Sequence, residues 1–382
     1  MLRVEVKPEL LRWAVERSRI DALDLTERFP QFEAWISKEV RPTLKQLERF
    51  ARATHAPVGF LFLSEPPPAD RVPIPDFRTV ADREVGRPSP NLLDTIYQCQ
   101  VRQDWYRDYA VTSGYEPLSF VGTLRVGDDV TAAAGHIRND LGFDLEARRQ
   151  AKTWAEAFRL FIEQLEAHGV LTMVSGIVGS NTRRTLDPEE FRGFALADPL
   201  APLVFVNGAD TLSARMFTLA HEVVHIWIGQ SAVSDADVAA VPKQQTERWC
   251  NRVAAELLVP LELFRLELDP RAELAAEMKR LAKQFKVSTL VVLRRMHDAG
   301  TLPSETYWTE YQRELARLRA ISRASGGGSF YRTQPARLGK RFTSALIADT
   351  LEGNTLFRDA YRMLGISKES TFRELGTRLR VL

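Results

Sequence analysis

Cysteine is nearly absent from this chain: Cys99 and Cys250 are the only two, far apart and without metal-ligand spacing between them. That excludes a disulfide framework or a zinc ribbon and suits a reducing compartment. Net charge is also small, since 52 Lys and Arg against 50 Asp and Glu leave +2. Overall charge therefore announces no nucleic-acid partner. No run approaches the ~18 apolar residues that a membrane-spanning helix needs, so no membrane association is expected. The opening MLRVEVKPELLRWAVERS carries charges throughout and has no apolar core of the signal-peptide kind; a cytoplasmic protein is expected. Internal repeats are missing too. What remains is an ordinary mixture, 45% apolar and 27% charged over 382 residues, enough for two or three domains.

The first 63 residues read as short helices, with LRWAVERSR, LDLTERF, FEAWISKEV, TLKQLERFARAT and VGFLFL placing apolar residues at three- and four-residue spacing. Thr43 is positioned to cap the fourth. Next comes SEPPPADRVPIPDFRT, with five prolines in sixteen positions, which reads as an extended linker or a strap across the following domain. Helical periodicity returns from 90 to 168. VLTMVSG, FRGFALAD and PLVFVNG then read as strands of a small sheet. A helix is expected from about Ser213 to Ile228, ended by Gly229. After a polar loop, QTERWCNRVAAELLV forms another, stopped by Pro260. More helices reach about residue 320, and ASGGGS at 324–329 separates a last helical module.

The stretch MFTLAHEVVHIWIG, residues 216–229, raises the chemical question. His221 and His225 are four apart, so on a helix they share one face, one turn apart. Two neutral imidazoles so placed bind one zinc ion, and Glu222 sits beside the metal, ready to take a proton from water. This is the HExxH pattern of zinc peptidases. Five residues alone are weak evidence, because the pattern occurs by chance. The flanks Phe217, Leu219, Ala220, Val223, Val224, Ile226 and Trp227 carry no charge, however. Three polar groups buried in such a helix without a metal would be costly. A catalytic zinc also takes a third protein ligand. Glu247 on the downstream helix is favoured, with Asn251 one turn on as a partner for a ligating histidine. Glu256 is the rival, but nine residues is 2.5 turns, so the two carboxylates point to nearly opposite faces and cannot both serve. His297 is expected to be structural.

With these residues in view, the sequence resembles the ImmA/IrrE family of metallopeptidases. The likeness rests on FTLAHEVVHIWIG and on ERWCNRVAAELLVP, where the family shows an E-x-x-A-N-x-F-A-A-x-L-L-M-P-like run. Cys250 replaces the usual Ala and Val253 the usual Phe. Upstream, VGSNTRRTLDPEEFRGFALAD extends the likeness, and RPTLKQLERFARATHAPVGFLFL resembles an Xre-type helix-turn-helix (HTH) domain. The resemblance implies an α+β, mainly helical protein. Its parts would be an HTH-like domain over 1–63, a proline-rich linker over 64–89, a thermolysin-like zincin (minigluzincin) domain over 90–320 and a basic helical module over 321–382. It further implies one Zn2+ per chain on His221, His225 and Glu247, with Glu222 as general base. The implied substrate is a regulatory protein, an HTH repressor or antitoxin, cut in a stress, DNA-damage, mobile-element or phage-defence response.

The two ends differ in charge. Residues 1–56 hold 11 Lys and Arg against 9 acids, and the leading turn of the expected recognition helix, near RFPQFEAW, offers Phe32 and Glu33. Gln31, Lys38 and Arg41 are the remaining contacts it has for DNA, so protein docking is as natural a role. Residues 313–382 hold 14 Lys and Arg against 6 acids, interleaved with aromatics. Arg332, Arg337, Lys340 and Arg341 are its candidate contacts to single-stranded or duplex DNA. The aromatics recur at helical spacing, however, as in an ordinary helical module. The competing overall reading is a DNA-binding regulator or antitoxin that keeps the peptidase fold as a scaffold.

Overall fold

Thr43 begins the helix Leu44–Ala53 as expected: its hydroxyl accepts from the Gln46 amide, and the Gln46 side chain accepts from the Thr43 amide in return. That helix delivers Phe50 to an aromatic cluster, with ring centroids 5.4 Å from Phe29, 5.7 Å from Phe32 and 6.2 Å from Trp35. Helices Pro8–Ser18, Ala22–Arg28 and Phe32–Ile36 close around this core, which also holds Leu10, Leu11, Leu25, Leu47 and Leu61. VGFLFL forms the short helix expected, of the tighter 3-10 kind. Val58–Phe62 is a 3-10 turn, the form favoured when a helical run spans only one turn or so. The helix expected to lead a DNA contact is just five residues, Phe32–Ile36, with Phe32 and Trp35 spent on the core.

The computed structural model describes residues 2–68, 71–77, 87–143, 145–234, 244–322 and 337–382. They fall into two compact units: Met1–Pro73 with Gly86–Asp94, and Ile74–Val85 with Thr95–Leu382. The glycine-rich stretch 324–329 lies outside the described residues.

The second unit is built on a four-stranded sheet of β1 (Leu171–Ser175), β2 (Gly193–Leu196), β3 (Leu203–Asn207) and β4 (Ala232–Ser234), in the order β1-β3-β2-β4. β1 and β3 run parallel; β2 is antiparallel to both β3 and β4. The first three strands lie where β-branched and aromatic residues placed them. β4 falls instead in the segment read as a polar loop. Three residues are too short to show a period, and pairing with β2 is what makes them a strand.

Alternation along β3 gives the sheet two faces. Val204 and Val206 join a core with Ala195, Phe217, Ala220, Val224 and Val253. Phe205 stacks on Phe194 at 4.8 Å on the other face. The helix Leu212–Trp227, capped by the Thr211 hydroxyl, packs on the first face and is buried from Met216 to Trp227. It ends where Gly229 adopts φ +67°. Helix Gln245–Leu258 crosses it, and helices Leu261–Glu267, Leu274–Phe285, Thr289–Asp298 and Ser304–Ser322 follow.

The last helices, Lys340–Leu351, Phe357–Leu364 and Glu369–Leu379, enclose Phe342, Leu346, Leu364 and Phe372. They dock on the helix Pro90–Thr112: Trp105 meets Phe342 edge-on at 5.6 Å, and its indole N–H donates to the Thr355 hydroxyl. Of the module's aromatics Phe342 and Phe372 are core, while Phe357 is exposed and Tyr361 partly buried; Phe330 and Tyr331 lie outside the described residues. Among the described residues no helix is long and apolar enough to cross a membrane.

Candidate metal centre

The helix Leu212–Trp227 places His221 above His225, and the helix Gln245–Leu258 brings Glu247 against both. The two Nε2 atoms are 3.1 Å apart. Glu247 Oε2 lies 3.2 Å from His221 Nε2, and Oε1 lies 3.0 Å from His225 Nε2. Zinc–nitrogen and zinc–oxygen bonds near 2 Å in a tetrahedron separate neighbouring ligand atoms by roughly 3.4 Å. The observed triangle is close to that size, and its three apices converge as metal ligands do. Among the described residues these three form the group of His, Cys, Asp and Glu side chains able to hold a metal ion. The donor set, two imidazoles and a carboxylate, suits zinc.

Burial sharpens the electrostatics. His221, Glu222 and His225 are 0% exposed and Glu247 is 2%. Burial alone would raise the Glu247 pKa, but the two histidines outweigh it and hold the carboxyl down at about 2. It is therefore an anion waiting for a cation. Glu222 is pushed well above the usual carboxylate range by burial and then by the charge of Glu247, with a hydrogen bond from Ser234 opposing. Burial also lowers His225, against the pull of Glu247, which favours the neutral imidazole a metal requires. The Nδ1 atoms of both histidines are buried without a hydrogen-bond partner among the described residues.

The rival carboxylate is elsewhere. Glu256 Oε2 accepts from Arg295 Nη2 at 2.7 Å, and the Leu261 amide donates to the same carboxylate. Asn251 is buried one turn beyond Glu247. His297 is structural, with Nδ1 3.0 Å from the Leu302 carbonyl and its ring stacked on Tyr307.

Three contributors carried no signal in the sequence. Ser234, at the end of β4, sets its hydroxyl 3.5 Å from His225 Nε2. Gly193 on β2 is required by crowding, because a Cβ there would lie 2.9 Å from Glu222 Oε1 and 2.7 Å from the Thr218 methyl. Phe77, from the proline-rich segment, sets its ring 6.3 Å from that of His225. Around it the Val233 amide donates to the Pro75 carbonyl and the Phe77 amide donates to the Val233 carbonyl, each at 2.9 Å. The segment is thus a strap along the outer edge of β4.

The candidate DNA contacts of the last module are used within the chain. Lys340 pairs with Glu163 at 2.8 Å. Arg341 donates to the Tyr106 hydroxyl and the Glu166 carbonyl. Arg337 reaches the Gly179 carbonyl. Arg332 lies outside the described residues.

A buried HExxH helix, a carboxylate on the next helix and a small sheet beside them are the parts of a metallopeptidase-like site. In agreement, residues 165–297 match the family model Peptidase_M78, described as the IrrE N-terminal-like domain. That span takes in the sheet and all four polar residues of the site, and it supports the ImmA/IrrE resemblance and a peptidase-like function. Residues 338–378 match a domain of unknown function, DUF8813. No curated protein matches the chain.

Proposed function

We propose that the chain is a zinc-dependent endopeptidase that cleaves a regulatory protein, an HTH repressor or antitoxin, and that it is latent in the form described. The observation that carries the reading is the His221–His225–Glu247 triangle with Glu222 beside it. His221, His225 and Glu247 would hold one zinc ion. When bound, that ion lowers the pKa of a water towards about 7 and polarises a carbonyl. Glu222 accepts the proton as water attacks the peptide carbonyl and returns it to the leaving amine. Burial and the Glu247 charge raise its pKa, which strengthens it as a base once ionised. A scaffold has no use for Glu222, which argues against a regulator that merely retains the fold. The substrate class and the stress, DNA-damage or phage-defence setting rest on the family resemblance.

Latency follows from the strap. An extended substrate docks on a sheet by pairing with an edge strand, and β4 is the edge nearest the histidines. Pro75 and Phe77 take its hydrogen bonds, and the polar site residues are almost fully covered. The strap must leave before a substrate pairs there.

The test is co-expression of wild type and Glu222→Gln with HTH proteins encoded nearby, with intact masses read by mass spectrometry. The variant should keep its metal while cleavage falls by about 10²- to 10⁴-fold, the usual worth of a positioned base. A fragment pair seen only with wild type establishes the activity. Equal fragments in both samples would remove Glu222 from the mechanism and sink the reading.

A further inference from the structure

The chain supplies its own occupant for the edge of β4, and the side chains of that occupant are not treated alike. Asp76 lies opposite Val233 in parallel register. On either side of it, the Pro75 carbonyl accepts from the Val233 amide and the Phe77 amide donates to the Val233 carbonyl. Position 75 is asked for a carbonyl alone, so the N–H that proline lacks is no loss there. Pro75 and Asp76 are exposed, whereas Phe77 is partly buried. Its ring turns towards the metal centre, with its centroid 6.3 Å from that of His225 and the planes 34° apart, inside the usual range for a ring pair.

These contacts divide the labour of peptide recognition. Main-chain bonds to Val233 hold any extended segment, whatever its sequence, and a place for one side chain supplies the choice. Here that place lies beside His225 and holds an aromatic ring.

We propose that the edge of β4 and the space beside His225 form a peptide-binding site selective for an aromatic side chain at the position Phe77 occupies. The strap is its intramolecular occupant. A substrate is then an extended segment that pairs with Val233 and sets a phenylalanine, tyrosine or tryptophan beside the metal-binding residues. The proposal rests on the peptidase reading and adds to it the side chain that the site selects. A tethered occupant competes at a roughly millimolar effective concentration, so a peptide from outside binds well only once the strap is displaced.

Fluorescence anisotropy with a labelled peptide of the strap sequence RVPIPDF tests it. The full-length protein is used with zinc supplied, carrying Glu222→Gln so that no probe is cut. In that background Phe77→Pro removes both the amide and the ring that hold the strap, and should bind the peptide at least about tenfold more tightly than the protein with its native strap. Phe77→Ala keeps the amide and should show a smaller gain; it carries the comparison if Phe77→Pro does not fold. A peptide with alanine in place of its phenylalanine should bind either opened variant about tenfold more weakly, and one with tryptophan about as well as the original. Tenfold corresponds to about 1.4 kcal/mol, less than full burial of a phenyl ring is worth. Equal binding of the phenylalanine and alanine peptides would overturn the proposal. So would the absence of saturable binding to an opened variant that circular dichroism shows to be folded. Failure of the peptidase reading looks different. Selective peptide binding with no HTH protein cut by the wild type keeps the site and removes the peptidase, whereas cleavage without preference for the aromatic peptide does the reverse.

Discussion

The two ends of the helix Gln245–Leu258 make different uses of the same side chain. Glu247, in its first turn, faces two imidazoles at 3.0 and 3.2 Å. Glu256, in its last, faces Arg295 at 2.7 Å. Both are buried, at 2% and 5% exposure. The partner decides the role. A guanidinium keeps its charge at any working pH and closes its carboxylate into a finished ion pair. Imidazole nitrogens are themselves metal ligands, so Glu247 and the two histidines bring three ligand atoms to one spot. One end is a finished ion pair, and the other belongs to a group that could hold a metal ion.

The comparison breaks most sharply if the ends exchange phenotypes on mutation. Glu247→Ala should cost more than about 100-fold in zinc affinity, exceeding what loss of a supporting residue costs, as measured by competition with a chromogenic chelator. Glu256→Ala should leave zinc affinity unchanged and lower stability by about 3 kcal/mol, the low end for stranding one partner of a buried pair. Asp298 still reaches Arg295 at 3.1 Å, which is why the low end is expected. Urea unfolding of the metal-free proteins checks it. Zinc loss in the Glu256 variant would make that carboxylate the ligand and overturn the assignment.

A smaller effect is expected at the strap. Phe77→Pro removes the amide that donates to Val233 along with the ring near His225. Each hydrogen bond is worth about 1 kcal/mol, so removal of zinc by dipicolinate should quicken by roughly tenfold. An unchanged rate would mean the strap does not guard the site.

The smallest effect concerns a third buried carboxylate, one held mainly by backbone N–H groups. Glu166 accepts backbone N–H groups at the start of Lys340–Leu351, yet burial outweighs them and raises its pKa to about 7. The folded state thus holds its proton more tightly than the unfolded chain does. Its contribution is fully present below about pH 4.5 and is lost as pH rises to about 7, a change of at most about 3 kcal/mol. Glu166→Gln should flatten that part of the stability–pH profile. A profile identical to wild type would show that Glu166 ionises normally.

Much of the site was legible along the chain because its parts are local. His221, Glu222 and His225 share one helical turn; counting turns showed that Glu247 and Glu256 cannot both serve, and Glu247 was favoured because Glu256 lies next to the helix end. The HTH-like reading had weaker support, since a five-residue helix with Phe32 and Trp35 in the core has few side chains left for DNA. In the last module Arg341 and Lys340 have partners within the chain, in Tyr106, Glu166 and Glu163. Charge counts do not reveal which acids lie opposite after folding.

The sequence by itself determined most of the helices, three of the four strands and the placing of two histidines and a glutamate on one helical turn, because periodicity and i,i+4 spacing are properties of neighbours along the chain. Only the tertiary structure decided that Ala232–Ser234 is a strand and that Pro75 and Phe77 occupy its edge. It also decided that Ser234 and Gly193 shape the space around Glu222. Those contacts join residues distant in sequence, and which of them form depends on how the whole core closes.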